Sequence, residues 1–161
     1  MRLGSSVRAE GGPVPAAKPL PEARWQQVWF AALRRPWSSL VLVPAHAGTP
    51  ALFAAEALAA VGRLHGQRPS RLVNAEAAAL PEVDDVVKSL GAMTGRGELA
   101  VVAVGCPLVQ ATSIPIARAC DAGLLVVPLG ESRLADARRA IDLVGRERFI
   151  GAVTLALGEE R

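Results

Sequence analysis

The chain has 161 residues, of which 51% are hydrophobic and 20% charged, with a formal net charge of +3. That length suits one domain of roughly 100 to 200 residues, with no room for a second core. The cations are scattered, with no run of five or six like charges that would mark a nucleic-acid or membrane arm, and no nucleic-acid partner is expected.

Cys106 and Cys120 are too few and too far apart for a disulfide framework or a zinc site. Both read as free thiols of a reducing compartment, and no metal or other cofactor is expected. Residues 1–20 lack the apolar core of a signal peptide, and no later stretch approaches about 18 unbroken apolar residues. The expected place is the cytoplasm, without direct membrane insertion.

Residues 1–21 are rich in Gly and Pro and poor in large apolar groups, so the pattern predicts a flexible tail. A single α/β domain is expected over 22–161. It opens with a short amphipathic helix, because Trp25, Val28, Trp29 and Leu33 fall on one helical face before Pro36. Apolar runs then alternate with helical patterns: 40–43, 52–64, 72–73, 83–90, 99–104, 114–119, 124–127, 134–144 and 149–155. Strand runs that are apolar throughout, separated by helices, indicate a mainly parallel sheet covered on both faces. Pro50 suits a helix first turn, Ser132 an N-cap and Gly145 a C′ position. In such sheets the chemistry lies beyond the carboxyl ends of the strands, here segments 44–50, 74–77, 105–113 and 128–132.

The stretch Leu99-Ala-Val-Val-Ala-Val-Gly-Cys-Pro107 resembles the strand ending in Asp-Thr-Pro of the ParA/MinD-type P-loop ATPases. Ala119-Cys-Asp-Ala-Gly-Leu-Leu-Val-Val127 resembles their "DgvllVv" strand, and Phe149-Ile-Gly-Ala-Val153 their "ilGvV" strand. Over about residues 22–157 the order of segments is most similar to the cytosolic tyrosine kinases of bacterial exopolysaccharide assembly. The fold that this resemblance implies is P-loop NTPase-like, in a degenerate form.

The family's phosphate loop would fall at Val43-Pro-Ala-His46-Ala-Gly48-Thr49-Pro50, after a strand and before a helix. Gly48 matches. Thr49 stands where a lysine would reach the phosphates, and Pro50 stands where a hydroxyl would ligate magnesium. Proline also removes one N–H that an anion would use at the helix start. The acidic Asp-Ala-Asp motif reads Asn74-Ala75-Glu76, and the Walker-B aspartate aligns with Gly105. The sequence contains no tyrosine, so the tyrosine cluster that the resembled kinases autophosphorylate has no counterpart in these residues.

His46 and Cys106 both follow strands and could form a reactive pair, although an inert buried thiol is the plainer expectation. His65 reads as solvent-facing, Asp121 as a local cap or turn residue, and the helix carrying Asp136, Arg138, Arg139 and Asp142 as a mixed-charge face beside Arg133. Trp25 and Trp29 either pack on their own domain or contribute to an interface with a partner.

The expected function is that of a non-catalytic pseudokinase or pseudo-ATPase that works by protein binding, a regulator or scaffold in exopolysaccharide production or export. A membrane polysaccharide chain-length regulator or a second copy of the chain is the expected partner. The alternatives are an ATPase or kinase with an unrecognised phosphate loop, thiol chemistry at Cys106, and a ParA/MinD-like positioning protein.

Overall fold

The computed structural model describes residues 22–130 and 133–156. The proposed tail over 1–21 and the proposed N-cap Ser132 lie outside the described residues. In chain order the elements are α1 (Ala23–Ala32), β1 (Ser39–Pro44), α2 (Ala51–His65), β2 (Ser70–Ala75), α3 (Val83–Gly95), β3 (Leu99–Val104), α4 (Ser113–Arg118), β4 (Ala122–Pro128), α5 (Leu134–Val144) and β5 (Phe149–Leu155). The expected α/β class holds: one five-stranded sheet runs in the order β2-β3-β1-β4-β5, and every pairing in it is parallel.

β1 and β3 are buried along their whole length, which explains their unbroken apolar sequences. Successive side chains alternate between two apolar layers. Leu40, Leu42, Val101 and Val126 face the layer of α1 and α2, whereas Val41, Val43, Val102, Val104 and Leu125 face the opposite layer with Ile116 and Val144.

The unequal cover of the two faces follows from the handedness of crossovers. From β1 to β2 the chain moves one way across the sheet, and from β2 onward it moves the other way, to β3, β4 and β5. Right-handed connections put the first crossover helix, α2, on one face and the later helices, α3, α4 and α5, on the other. One crossover helix alone cannot cover a face of this width, and α1 supplies the remainder by packing on α2 and β5.

That requirement gives the tryptophans the first of their two expected roles, packing on their own domain. Trp25 and Trp29 are buried in the core, Trp29 to 1% exposure, and neither indole presents a surface to a partner. Trp29 packs edge-on to Trp37, and its Nε1 donates to Nδ1 of His65 at 3.4 Å. His65 is therefore half-buried in the seam between α1 and α2 rather than solvent-facing, with Phe30 packed edge-on to its ring. Trp25 meets Phe53 of α2 in the same way.

Asp121 has a structural role, but a distant one. Its Oδ2 accepts the backbone N–H groups of Ser38 at 2.7 Å and Ser39 at 3.2 Å, tying the start of β4 to the start of β1. Gly145 ends α5 with φ 121, as its place after the last apolar residue suggests. Pro50 lies one position outside its expected place: it is the N-cap residue of α2, with φ −79 and ψ 112, and the helix begins at Ala51. Among the described residues, no helix is long and apolar enough to cross a membrane.

Candidate functional site

The connection leaving β1 crosses one face of the sheet and those leaving β3 and β4 cross the other, so the crevice of the sheet opens where the loops after β1, β3 and β4 meet. The loop after β1 holds His46, Gly48, Thr49 and Pro50. Its path is set by three local features. Ala45 N–H donates to the Val126 carbonyl of β4 at 2.9 Å, Thr49 N–H turns back to the His46 carbonyl at 3.2 Å, and Gly48 has φ 83, a conformation that side chains disfavour. Thr49 is buried behind this turn.

The start of α2 carries the orphan backbone N–H groups that any helix N-terminus presents. Pro50 has no N–H to add. The N–H groups of Ala51 and Leu52 both donate to one oxygen, Oε2 of Glu76, at 3.1 Å and 3.0 Å. Glu76 comes from the loop after β2, on the far side of β3 from this helix start. Asn74 aims it: the Asn74 Oδ1 accepts the Glu76 N–H at 3.1 Å, a side-chain turn that bends the chain back as β2 ends. The Asn-Ala-Glu sequence is therefore a working unit, with an amide forming the turn and a carboxylate capping a helix that is remote in sequence.

Gly105, at the end of β3, completes the enclosure. A Cβ there would collide with the Gln110 side-chain amide and lie 3.2 Å from the Glu76 carbonyl oxygen. Gln110 in turn donates to Thr112 Oγ1 at 3.3 Å, and Thr112 Oγ1 donates to the Ala78 carbonyl at 2.9 Å. The loops after β2 and β3 are thus stitched together over the position at which the resembled family carries an acid. Glycine is used here for close approach, and a carboxylate side chain at this position would displace Gln110.

The proposed thiol pair is not assembled. Cys106 and Cys120 are both free and buried. Burial pushes the Cys106 thiol up from its ordinary value, the N–H groups of Leu108 and Val109 pull it the other way, and the Asp136 charge adds to the rise. A thiol that resists ionisation is a poor nucleophile. Among the described residues, no hydrogen bond joins His46 to Cys106, and no cluster of three or more His, Cys, Asp or Glu side chains could hold a metal ion.

The carboxyl edge also exposes apolar side chains. Leu80, Val109, Leu129 and Leu134 all belong to the loops or helix starts after β2, β3 and β4, and all are largely exposed.

No family model matches the chain, and no curated protein matches it either. Among solved structures it is similar to the kinase domain of Escherichia coli tyrosine kinase ETK, with a TM-score of 0.68 and 13% sequence identity. The match covers 84% of this chain and 74% of that one. At that identity the likeness is one of fold: the chain has the α/β architecture of a P-loop kinase domain. Fold alone does not carry an activity.

Proposed function

We propose that the chain is a non-catalytic P-loop-like protein of the cytoplasm that acts by binding other proteins, as a regulator or scaffold in exopolysaccharide production or export. The observation that carries the non-catalytic reading is the Glu76 carboxylate on the Ala51 and Leu52 N–H groups. A helix N-terminus after a glycine-containing loop is an anion site, because its N–H groups and its dipole favour negative charge. Here the protein's own carboxylate fills it.

The surrounding residues point the same way. Thr49 offers no cation to a phosphate, Pro50 offers neither hydroxyl nor N–H, and Gly105 carries no acid to face a metal, its place being crowded by the Gln110 side chain. These residues do not fit magnesium ATP. An incoming phosphate would have to displace Glu76 and meet its charge, without the lysine and magnesium that neutralise phosphate charge in phosphoryl transfer. The pathway, and a chain-length regulator or a second copy of the chain as partner, rest on the resemblance to the exopolysaccharide kinases.

Isothermal calorimetry of the full chain with ATP and with ADP, each with magnesium, tests the reading. The expected result is no binding heat. Micromolar affinity would refute it and put an ATPase or kinase with an unrecognised phosphate loop in its place.

A further inference from the structure

Arginines that are scattered along the sequence converge in the fold on the amino edge of the sheet, opposite the phosphate-loop edge. Arg35 follows α1, Arg63 lies in the last turn of α2, Arg68 and Arg71 flank the start of β2, and Arg96 follows α3. Arg35 and Arg68 line one hollow, and Arg63, Arg68 and Arg71 line the next.

Their charges are poorly compensated. Arg71 and Arg96 share a single carboxylate, Glu98, each at 3.2 Å. Arg68 is held by uncharged acceptors: the Gly97 carbonyl at 2.9 Å, the Glu98 carbonyl at 3.4 Å and Ser38 Oγ at 3.2 Å. Those bonds fix the guanidinium and leave its charge in place. Asp121, a second acid at this edge, accepts the Ser38 and Ser39 N–H groups, and Asp142 and Glu147 lie farther along it, before β5. Arg35 and Arg63 are exposed, and no ion pair among the described residues engages them.

Between the arginines the surface mixes apolar side chains with the polar His65 and Gln67. The first hollow has a volume of about 130 Å³, with Leu33, Pro36, Trp37 and Leu99 in its wall beside Arg35 and Arg68. That is close to the ~150 Å³ of an apolar cavity that admits a benzene ring. Guanidinium groups around a partly apolar hollow complement a chain that carries carboxylates and a large apolar side chain together. A nucleic acid fits less well, because single strands need several exposed aromatic faces on which successive bases stack, and of the aromatic residues beside this hollow Trp29 and Trp37 are buried, leaving Phe30 alone exposed.

We propose that the amino edge is a docking surface for an acidic protein segment, with a leucine or aromatic side chain of that segment seated in the hollow beside Arg35 and Arg68. The surface lies opposite the Glu76 site and does not depend on whether nucleotide binds there.

The test is fluorescence anisotropy with the full chain and three labelled probes of equal length: a peptide alternating glutamate and leucine, a peptide of glutamate alone, and single-stranded DNA. The mixed peptide binds best, and its binding weakens as salt screens the exposed charges. Reversing the two unpaired cations in R35E/R63E weakens it by about tenfold or more while the melting temperature holds. If that variant fails to fold, R35A/R63A, which removes charge without reversing it, repeats the measurement. Unchanged peptide binding by a folded variant overturns the proposal. So does equal affinity for the glutamate-only peptide, which would mean that the hollow is unused, and so does tighter binding of the DNA.

Discussion

Glu76 Oε2 lies 3.1 Å from the amide nitrogen of Ala51, although 25 residues separate the two in sequence. A helix usually takes its N-cap from the residue just before it, but here that residue is Pro50, whose side chain makes no cap. The carboxylate of another loop does the work and joins the ends of β1 and β2 in doing so.

Removing that carboxylate leaves two N–H groups without their acceptor. Glu76→Ala is expected to lower stability by about 0.5–2 kcal/mol, the range for loss of a helix cap. The freed site regains affinity for small anions. In thermal melts, phosphate at constant ionic strength should therefore raise the midpoint of Glu76→Ala more than that of the wild type. Equal responses in the two proteins would show that Glu76 does not occupy an anion site.

Gly105 supplies a second test at the same edge. Gly105→Ala forces the Gln110 side chain to move and brings a methyl group to 3.2 Å from the Glu76 carbonyl. Ordinary overpacking costs about 1–3 kcal/mol, and the mobile end of Gln110 places this substitution near the lower bound. Gly105→Asp adds a carboxylate to the same crowded space and is expected to cost more. Urea unfolding of the two variants checks the order, and an unaffected Gly105→Asp would remove the steric argument against a metal-facing acid here.

Much of the fold is legible in the sequence because single segments decide it. The run Leu99–Val104 is apolar throughout and forms β3 over those residues, and Leu134–Val144 keeps its helical spacing and forms α5 over the same bounds. Contacts between strands that are neighbours in space and distant in sequence are not legible. Nothing local to Asp121 points to Ser38, and nothing local to Glu76 points to Ala51, since both bonds need the strand order first. The substitutions at Thr49, Pro50 and Gly105 can be read singly, but the Asn74 turn that sends Glu76 across to α2 cannot. The cations mislead for the same reason: Arg35 and Arg96 are distant in sequence and share one edge of the sheet.

Alkaline pH should reveal the deepest thiol. Burial pushes Cys120 up from an ordinary 9.0 to about 12, against a hydrogen bond with Ser39 that lowers it. The unfolded chain releases this proton near its ordinary value and the folded chain holds it longer, so the folded state is the more protonated between the two. Stability is therefore intact below about pH 9 and falls as pH rises toward about 12. The slope from one such group is at most about 1.4 kcal/mol per pH unit. Cys120→Ala, followed by urea unfolding at increasing pH, should flatten that decline relative to the wild type. Identical slopes would show that Cys120 does not contribute.

The tryptophan helix separates folding from recognition. Trp29 is 1% exposed and closely confined: a Cβ added at Gly62 of α2 would lie 2.7 Å from its ring and would also collide with Ser70 Oγ. Truncating a buried Trp costs about 3–5 kcal/mol, which is a large part of a typical domain's stability. Trp29→Ala is therefore expected to lose binding together with its fold. Gly62→Ala probes the same contact from the other side. Alanine gains up to about 1 kcal/mol of helix propensity over glycine, yet overpacking costs about 1–3 kcal/mol, so the balance is destabilising. Phe30 is 52% exposed and packs edge-on to the His65 ring, so Phe30→Ser should cost about 0.5–1.5 kcal/mol, well below the cost of Trp29→Ala. Chemical denaturation together with light-scattering mass distinguishes the roles. A Trp29→Ala protein that stays folded but changes its state of assembly would return the indole to the interface.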